Sequence, residues 1–463
     1  MRKAWGHRKV LVARRALCLG VLGLWVAGLG HQHAVASPAP AVAETPAARS
    51  EPRGASPTDR AVATWTEKVK RKPGDDAAWV SLGDALMQKA RETADAIYYG
   101  RAEGVFQQAL SLNPRSVGAM VGMAWVSGSR HEFEQSAQWA RKALAVDPAS
   151  QDAYGLLGDA ALEVGDYEAA LEHYQKMMDL RPNLASYGRG AHLLYLTGDV
   201  RKATWLMGKA IGAGAPYAEN TAWARAQLAL MYWGTGALVP AEQVLARARA
   251  ESPTNAHVLA SLAKVKASQK DFPTAIGLYE KAIAIAPTSE AVIALGDVHQ
   301  ATGQREQAEK RYALAETIFR LNKANGVQND IERARFYLDH DRHLPEALRE
   351  AEAVYPIRKT VFVADTLAWA YYKNGRYPDA RKMIRQALRV KTPDAHILFH
   401  AGMIAAKVGD RPAAQGYLYR ALSLNSRFHP IFADLAAETL KQVGGASARP
   451  GMQRPASAPE PAE

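Results

Sequence analysis

Cysteine is almost absent from this chain: Cys18 is the only one in 463 residues. It lies inside the apolar stretch Ala16 to Leu29, so disulfide staples and cysteine metal sites are excluded. Apolar runs of membrane length are missing as well. Ala16 to Gly30 offers about 15 residues where a spanning helix needs ~20. No basic stripe with interleaved aromatics occurs, although the formal charge of +12 would suggest a polyanionic partner. Half of that charge comes from Arg2, Lys3, Arg8, Lys9, Arg14 and Arg15, in a segment without one acidic residue. What remains is thinly spread, and nucleic-acid binding is not expected.

Catalytic signatures are equally scarce. There is no zinc-protease helix motif, phosphate loop, dinucleotide glycine fingerprint or serine nucleophile elbow. Ser261-Leu-Ala-Lys264 matches a short Ser-x-x-Lys string, yet it falls on a first helix of a repeat without its partner motifs and reads as chance. Asp339, His340, Asp341 and His343 crowd metal-ligand types into a connecting turn. Four such neighbours converge on one ion only with strain, so the cluster reads as a solvated polar turn. No cofactor, no metal and no enzymatic activity are expected.

What is present begins with a three-part leader. A basic start, the apolar run and Ala34-Val35-Ala36 before Ser37 make the pattern of a cleavable signal peptide spanning 1–36, which predicts a periplasmic or secreted protein. Residues 37–60 are rich in Ala, Pro and Ser and read as a disordered linker, as do residues 441–463 at the other end. Between them, 61–440, the composition is that of a chain with a continuous core.

Proline sets the period of that region. Pro114, Pro148, Pro182 and Pro216 follow one another at intervals of 34, and Pro253 and Pro287 repeat the interval. Each ends a helix, because proline lacks an amide proton and disfavours helix in the residue before it. In the clearest copy Tyr154, Leu157, Gly158 and Ala161 share one face of a first helix, Gly165-Asp166-Tyr167 turns the chain, and Ala170, Tyr174 and Met177 stripe a second. Ala256 to Pro287 repeats the pattern with Leu259, Leu262, Ala263, Ala275, Tyr279 and Ala282. An early copy carries Trp79, Leu82, Gly83, Leu86, Ala102, Phe106 and Pro114, with a longer connection around Arg91 to Tyr99. A degenerate copy, Asn329 to Tyr355, follows an insertion around Leu321 to Gln328.

This pattern resembles the tetratricopeptide-repeat family. The resemblance covers nearly everything between Ala61 and Leu440 and implies an all-α, right-handed α-solenoid of about ten helix-turn-helix repeats. It also implies a scaffold or adaptor that binds proteins or peptides, here of the cell envelope, in a concave groove. The lysine and asparagine clamp that some members use for chaperone C-termini is not expected, since Val121, Gly122 and Leu156 stand at groove positions. Helical phase instead predicts a groove lined by Trp125, His192, Tyr195, Trp233, Glu332, Phe336, Phe362, Asp365, Trp369, Tyr372, His396, Phe399 and Met403. Aromatics would supply affinity, and Asp365, Glu332 and flanking basic groups selectivity. The same aromatic faces also suit sugar rings, so a carbohydrate-binding accessory of polysaccharide export is the alternative.

Overall fold

A computed structural model describes residues 56–214 and 217–444. The leader, most of the expected linker, Pro216 and the tail beyond residue 444 lie outside the described residues. Among the described residues there are 22 helices and no strand. The first, Pro57–Arg71, starts inside the stretch expected as linker. Ser56 caps it, accepting from the Asp59 amide while Asp59 accepts from that of Ser56, and Pro57 opens it. That local signature was readable, but the Ala/Pro composition around it masked it.

Ten helix pairs follow, from Asp76–Thr93 with Ile97–Leu112 to Ala395–Lys407 with Arg411–Leu424, and Phe432–Gly444 closes the array. Small residues let the two helices of a pair approach: Ala170, Ala203, Ala241, Ala275, Ala347, Ala380 and Ala414 are wholly buried on the second helices of seven pairs, and Ala308 nearly so on an eighth. The stretched first copy is accommodated by longer helices of 18 and 16 residues, broken at Ala94 by a left-handed backbone. The insertion near Leu321 extends the Arg305–Ala324 helix to 20 residues. The degenerate copy is a regular pair, Asp330–Asp339 and Leu344–Val354. This is the expected α-solenoid.

The superhelix is tight enough to meet itself. Intra-repeat turns of the early repeats abut the connections between the late ones. Gln328 donates its amide to the Arg130 carbonyl at 3.0 Å, and Arg358 pairs with Glu163 at 3.0 Å. Arg389 donates to the Gly165 carbonyl at 3.2 Å, Thr392 to that of Leu196 at 3.2 Å, and Asn425 to that of Trp233 at 2.8 Å. These partners stand 192 to 224 residues apart, about one superhelical turn. Three glycines register the closeness. A Cβ on Gly165 would stand 2.5 Å from the Lys359 carbonyl oxygen, one on Gly198 2.7 Å from that of Lys391, and one on Gly236 2.7 Å from that of Leu424. The equivalent Gly375 and Gly409 of the late repeats have open space there.

Candidate functional site

Closing one turn on the next leaves a partly open cavity of about 310 Å³ between them, lined by residues from Leu162 to Pro430. One wall is formed by first helices of early repeats, with His192, Tyr195, Gln227, Trp233, Lys264 and Ser268. The other comes from late repeats, with Glu332, Arg335, Phe336, Asp339, Phe362 and His396.

Several wall residues hold the two turns together. The Tyr195 hydroxyl donates to the Pro393 carbonyl at 3.4 Å. The Trp233 indole donates to Ser268 Oγ at 2.7 Å, and Ser268 in turn donates to the Arg427 carbonyl at 3.0 Å. Arg358 bridges Glu163 and Glu332, at 3.0 and 3.3 Å, with its guanidinium over the Phe133 ring. Glu332 Oε2 and Arg358 Nε are nevertheless left buried without hydrogen-bond partners. Groups of that kind are costly unless something meets them.

Charge inside the cavity is unevenly balanced. Lys264 lies over the face of Trp233, 4.3 Å from its centroid, with Glu290 at 4.0 Å. Burial pulls its ammonium below the ordinary lysine value, against the pull of Glu290. Burial likewise pushes the Asp394 carboxyl up to about 6, opposed by the Ile397 amide that it caps, and draws His192 down to about 3. Asp297 is the best satisfied carboxylate. It accepts from the Tyr312 hydroxyl at 3.0 Å and from His340 Nε2 at 2.7 Å, with His429 Nε2 at 3.2 Å. Burial works against its charge, but the two imidazoles outweigh it and hold the carboxyl below the usual range. Asp159, which like Asp297 follows a glycine lying beneath a tyrosine ring, is neutralised by Arg189 instead, at 2.8 Å. One repeat position thus serves as packing polar group early in the array and as cavity wall late in it.

The twelve residues of the expected partner-binding groove divide evenly. Tyr195, Trp233, Glu332, Phe336, Phe362 and His396 line the cavity, as does His192. Trp125, Asp365, Trp369, Tyr372, Phe399 and Met403 do not. Phe399 is wholly buried against Phe428 and Phe432, and Trp125 is buried in the core of the early repeats. Trp369 is sandwiched between Tyr372 and His400, centroids 4.5 and 4.1 Å away. Asp365 is committed to His400 Nδ1 at 3.0 Å. These side chains pack because the next helix lies over them, which phase within one helix does not reveal. Val121 and Leu156, set against the chaperone clamp, are buried too.

The turn cluster also separates. Asp341 pairs with Lys373 at the surface at 2.6 Å, and His343 rests on the Tyr337 ring. His340 goes to Asp297, while Asp339 points towards His396 and His400, with donor atoms of the three within 4.8 Å of one another. The residues that sequence reasoning missed here are Lys264, Asp297, Arg335, Arg358, His400 and His429. None breaks the repeat pattern; each matters only because a second turn returns to it.

Residues 122–185 and 366–428 match the family model described as tetratricopeptide repeat. Those two stretches are tetratricopeptide repeats. Among solved structures, the array is similar to a tetratricopeptide repeat protein from Parabacteroides merdae (16% identity, 57% of this chain and 92% of that one, TM-score 0.38). It is also similar to a thermophilic TPR protein of Thermus thermophilus (21%, 41% and 98%, TM-score 0.37) and to yeast Tom70 (12%, 82% and 96%, TM-score 0.37). No helix among the described residues is long and apolar enough to cross a membrane.

Proposed function

We propose that this TPR protein is a non-catalytic scaffold of the cell envelope that holds a partner protein by taking a short segment of it into the cavity between its superhelical turns. The observation that carries this reading is the cavity wall itself. It sets Lys264, Arg335 and Glu332 beside Phe336 and Phe362, a mixture that suits a peptide carrying both charged and apolar groups. Its volume, about 310 Å³, sits at the small end of ligand pockets. The envelope location rests on the leader pattern of residues 1–36. The polysaccharide alternative gains no support: Trp233 has a face beneath Lys264 and Tyr195 is tied to the second turn, so neither offers the free flat ring that a sugar reader uses.

A photo-crosslinking side chain placed at Phe362 should capture the partner in a native envelope preparation. The same side chain at Trp205, 63% exposed on the outside of a second helix, should not. Capture from Trp205 alone would place the binding surface on the convex side and refute the cavity.

A further inference from the structure

At the late-repeat end of the cavity three buried atoms point at one another and bond to nothing: Asp339 Oδ1, His396 Nε2 and His400 Nε2. His396 and His400 stand four residues apart on the Ala395–Lys407 helix and so share a face, with ring centroids 4.8 Å apart. Asp339 ends the Asp330–Asp339 helix two repeats earlier. Its Oδ1 lies 3.9 Å from His400 Nε2, too far for a hydrogen bond and well placed for two ligands of one ion. From this geometry we infer that Asp339, His396 and His400 form a binding site for a divalent transition-metal ion, zinc or a metal of similar preference, on the wall of the cavity.

The chemistry of the three atoms favours a cation over a water molecule. The Asp365 carboxylate, 1% exposed, lies 3.0 Å from His400 Nδ1, which fixes the proton there and leaves Nε2 with a bare lone pair. Asp339 Oδ1 is an acceptor as well, and a neutral His396 with its proton on Nδ1 presents a third lone pair. With the His396 proton on Nδ1 the three atoms are all acceptors, and a water, with two protons to give, leaves one of them unmet where an ion meets all three. Two imidazoles and a carboxylate are donors that zinc takes, and a carboxylate behind a ligating histidine is the support such ligands use. Arg335, 3.6 Å from Asp339 Oδ2, steers that carboxylate from its other side. Ligands of tetrahedral zinc stand roughly 3.4 Å apart, so the three donors draw together on binding. Asp339 and His396 line the cavity, which leaves the remaining coordination positions facing inward. His340 and His429 are spent on Asp297 and stay outside the set. This inference goes beyond the scaffold reading and stands whether or not a peptide enters.

The test uses the full chain, free of any tag, stripped with a chelator and titrated with Co²⁺ and then Zn²⁺. Wild-type protein should take up one Co²⁺ with the strong visible absorption of a site holding fewer than six ligands, and Zn²⁺ should displace it. Asp339→Asn and His396→Gln keep side-chain volume and should abolish that absorption while leaving helicity and the chelator-state unfolding midpoint unchanged. Asp365→Asn should keep the same absorption band but weaken affinity by roughly 10–100-fold, as loss of an outer partner does. Residues of the leader, including Cys18, are common to all variants and cancel in the comparison. The inference is overturned if wild type takes up no stoichiometric ion, or if Asp339→Asn and His396→Gln bind as tightly as wild type.

Discussion

Single residues in this solenoid are judged by what lies over them. Gly158 and Asp159 sit side by side on one helix; the glycine is beneath the Tyr174 ring, and the aspartate takes the Tyr174 hydroxyl at 2.8 Å and the Arg189 guanidinium at 2.8 and 2.9 Å. Both charged partners are buried. Asp159→Ala would strand the guanidinium, and removing one member of a buried pair costs about 3–5 kcal/mol. Chemical unfolding should show that loss, whereas a change below about 1 kcal/mol would mean that Arg189 finds water. The glycine was legible from sequence as a place of close approach. The aspartate was not, because its partner comes from the next repeat. Phe399 and Trp369 show the same limit: helical phase placed them on the groove side, and the helix stacked above claimed them as core.

At the scale of elements, the period of 34 residues gave the helix pairs, their number and their turns, including a pair at Asn329 to Tyr355 where few signature residues remain. It gave nothing about pitch. Pitch is the sum of small rotations between neighbours, and here it brings early turns against late connections. Two of the positive-φ glycines that feel this, Gly165 and Gly198, can be compared with two that do not. Gly375→Ala and Gly409→Ala should each cost about 1–2 kcal/mol, the penalty for a left-handed alanine. Gly165→Ala and Gly198→Ala carry the same penalty and also drive a methyl against the Lys359 or Lys391 carbonyl. Their unfolding midpoints should therefore fall further. Equal losses at all four positions would show that the turns stand apart.

For the whole molecule, closure converts an open groove into a cavity with charged walls, and both the peptide reading and the metal site depend on it to different degrees. Tyr195, Trp233, Glu332, Phe336, Phe362 and His396 were legible as groove residues because they lie on first helices in the right phase. Lys264, Arg335 and Arg358 were not, because a lone basic residue on a repeat helix is ordinary until another turn faces it. The unpaired ligand set is a product of folding in the same sense: Asp339 and His400 are far apart in sequence, and the dense cluster at 339–343 reads from sequence as a solvated polar turn.

Lys270, in the turn between the Ala256–Ser268 and Phe272–Ile285 helices, and Asp434 in the closing helix form an exposed ion pair at 3.6 Å across the seam. Spin labels at these two positions, in a Cys18→Ser background, measure the seam directly by pulsed electron resonance. A single short, narrow distance distribution is the predicted result. A long or broad one would mean an open superhelix, with no cavity between its turns to bind in.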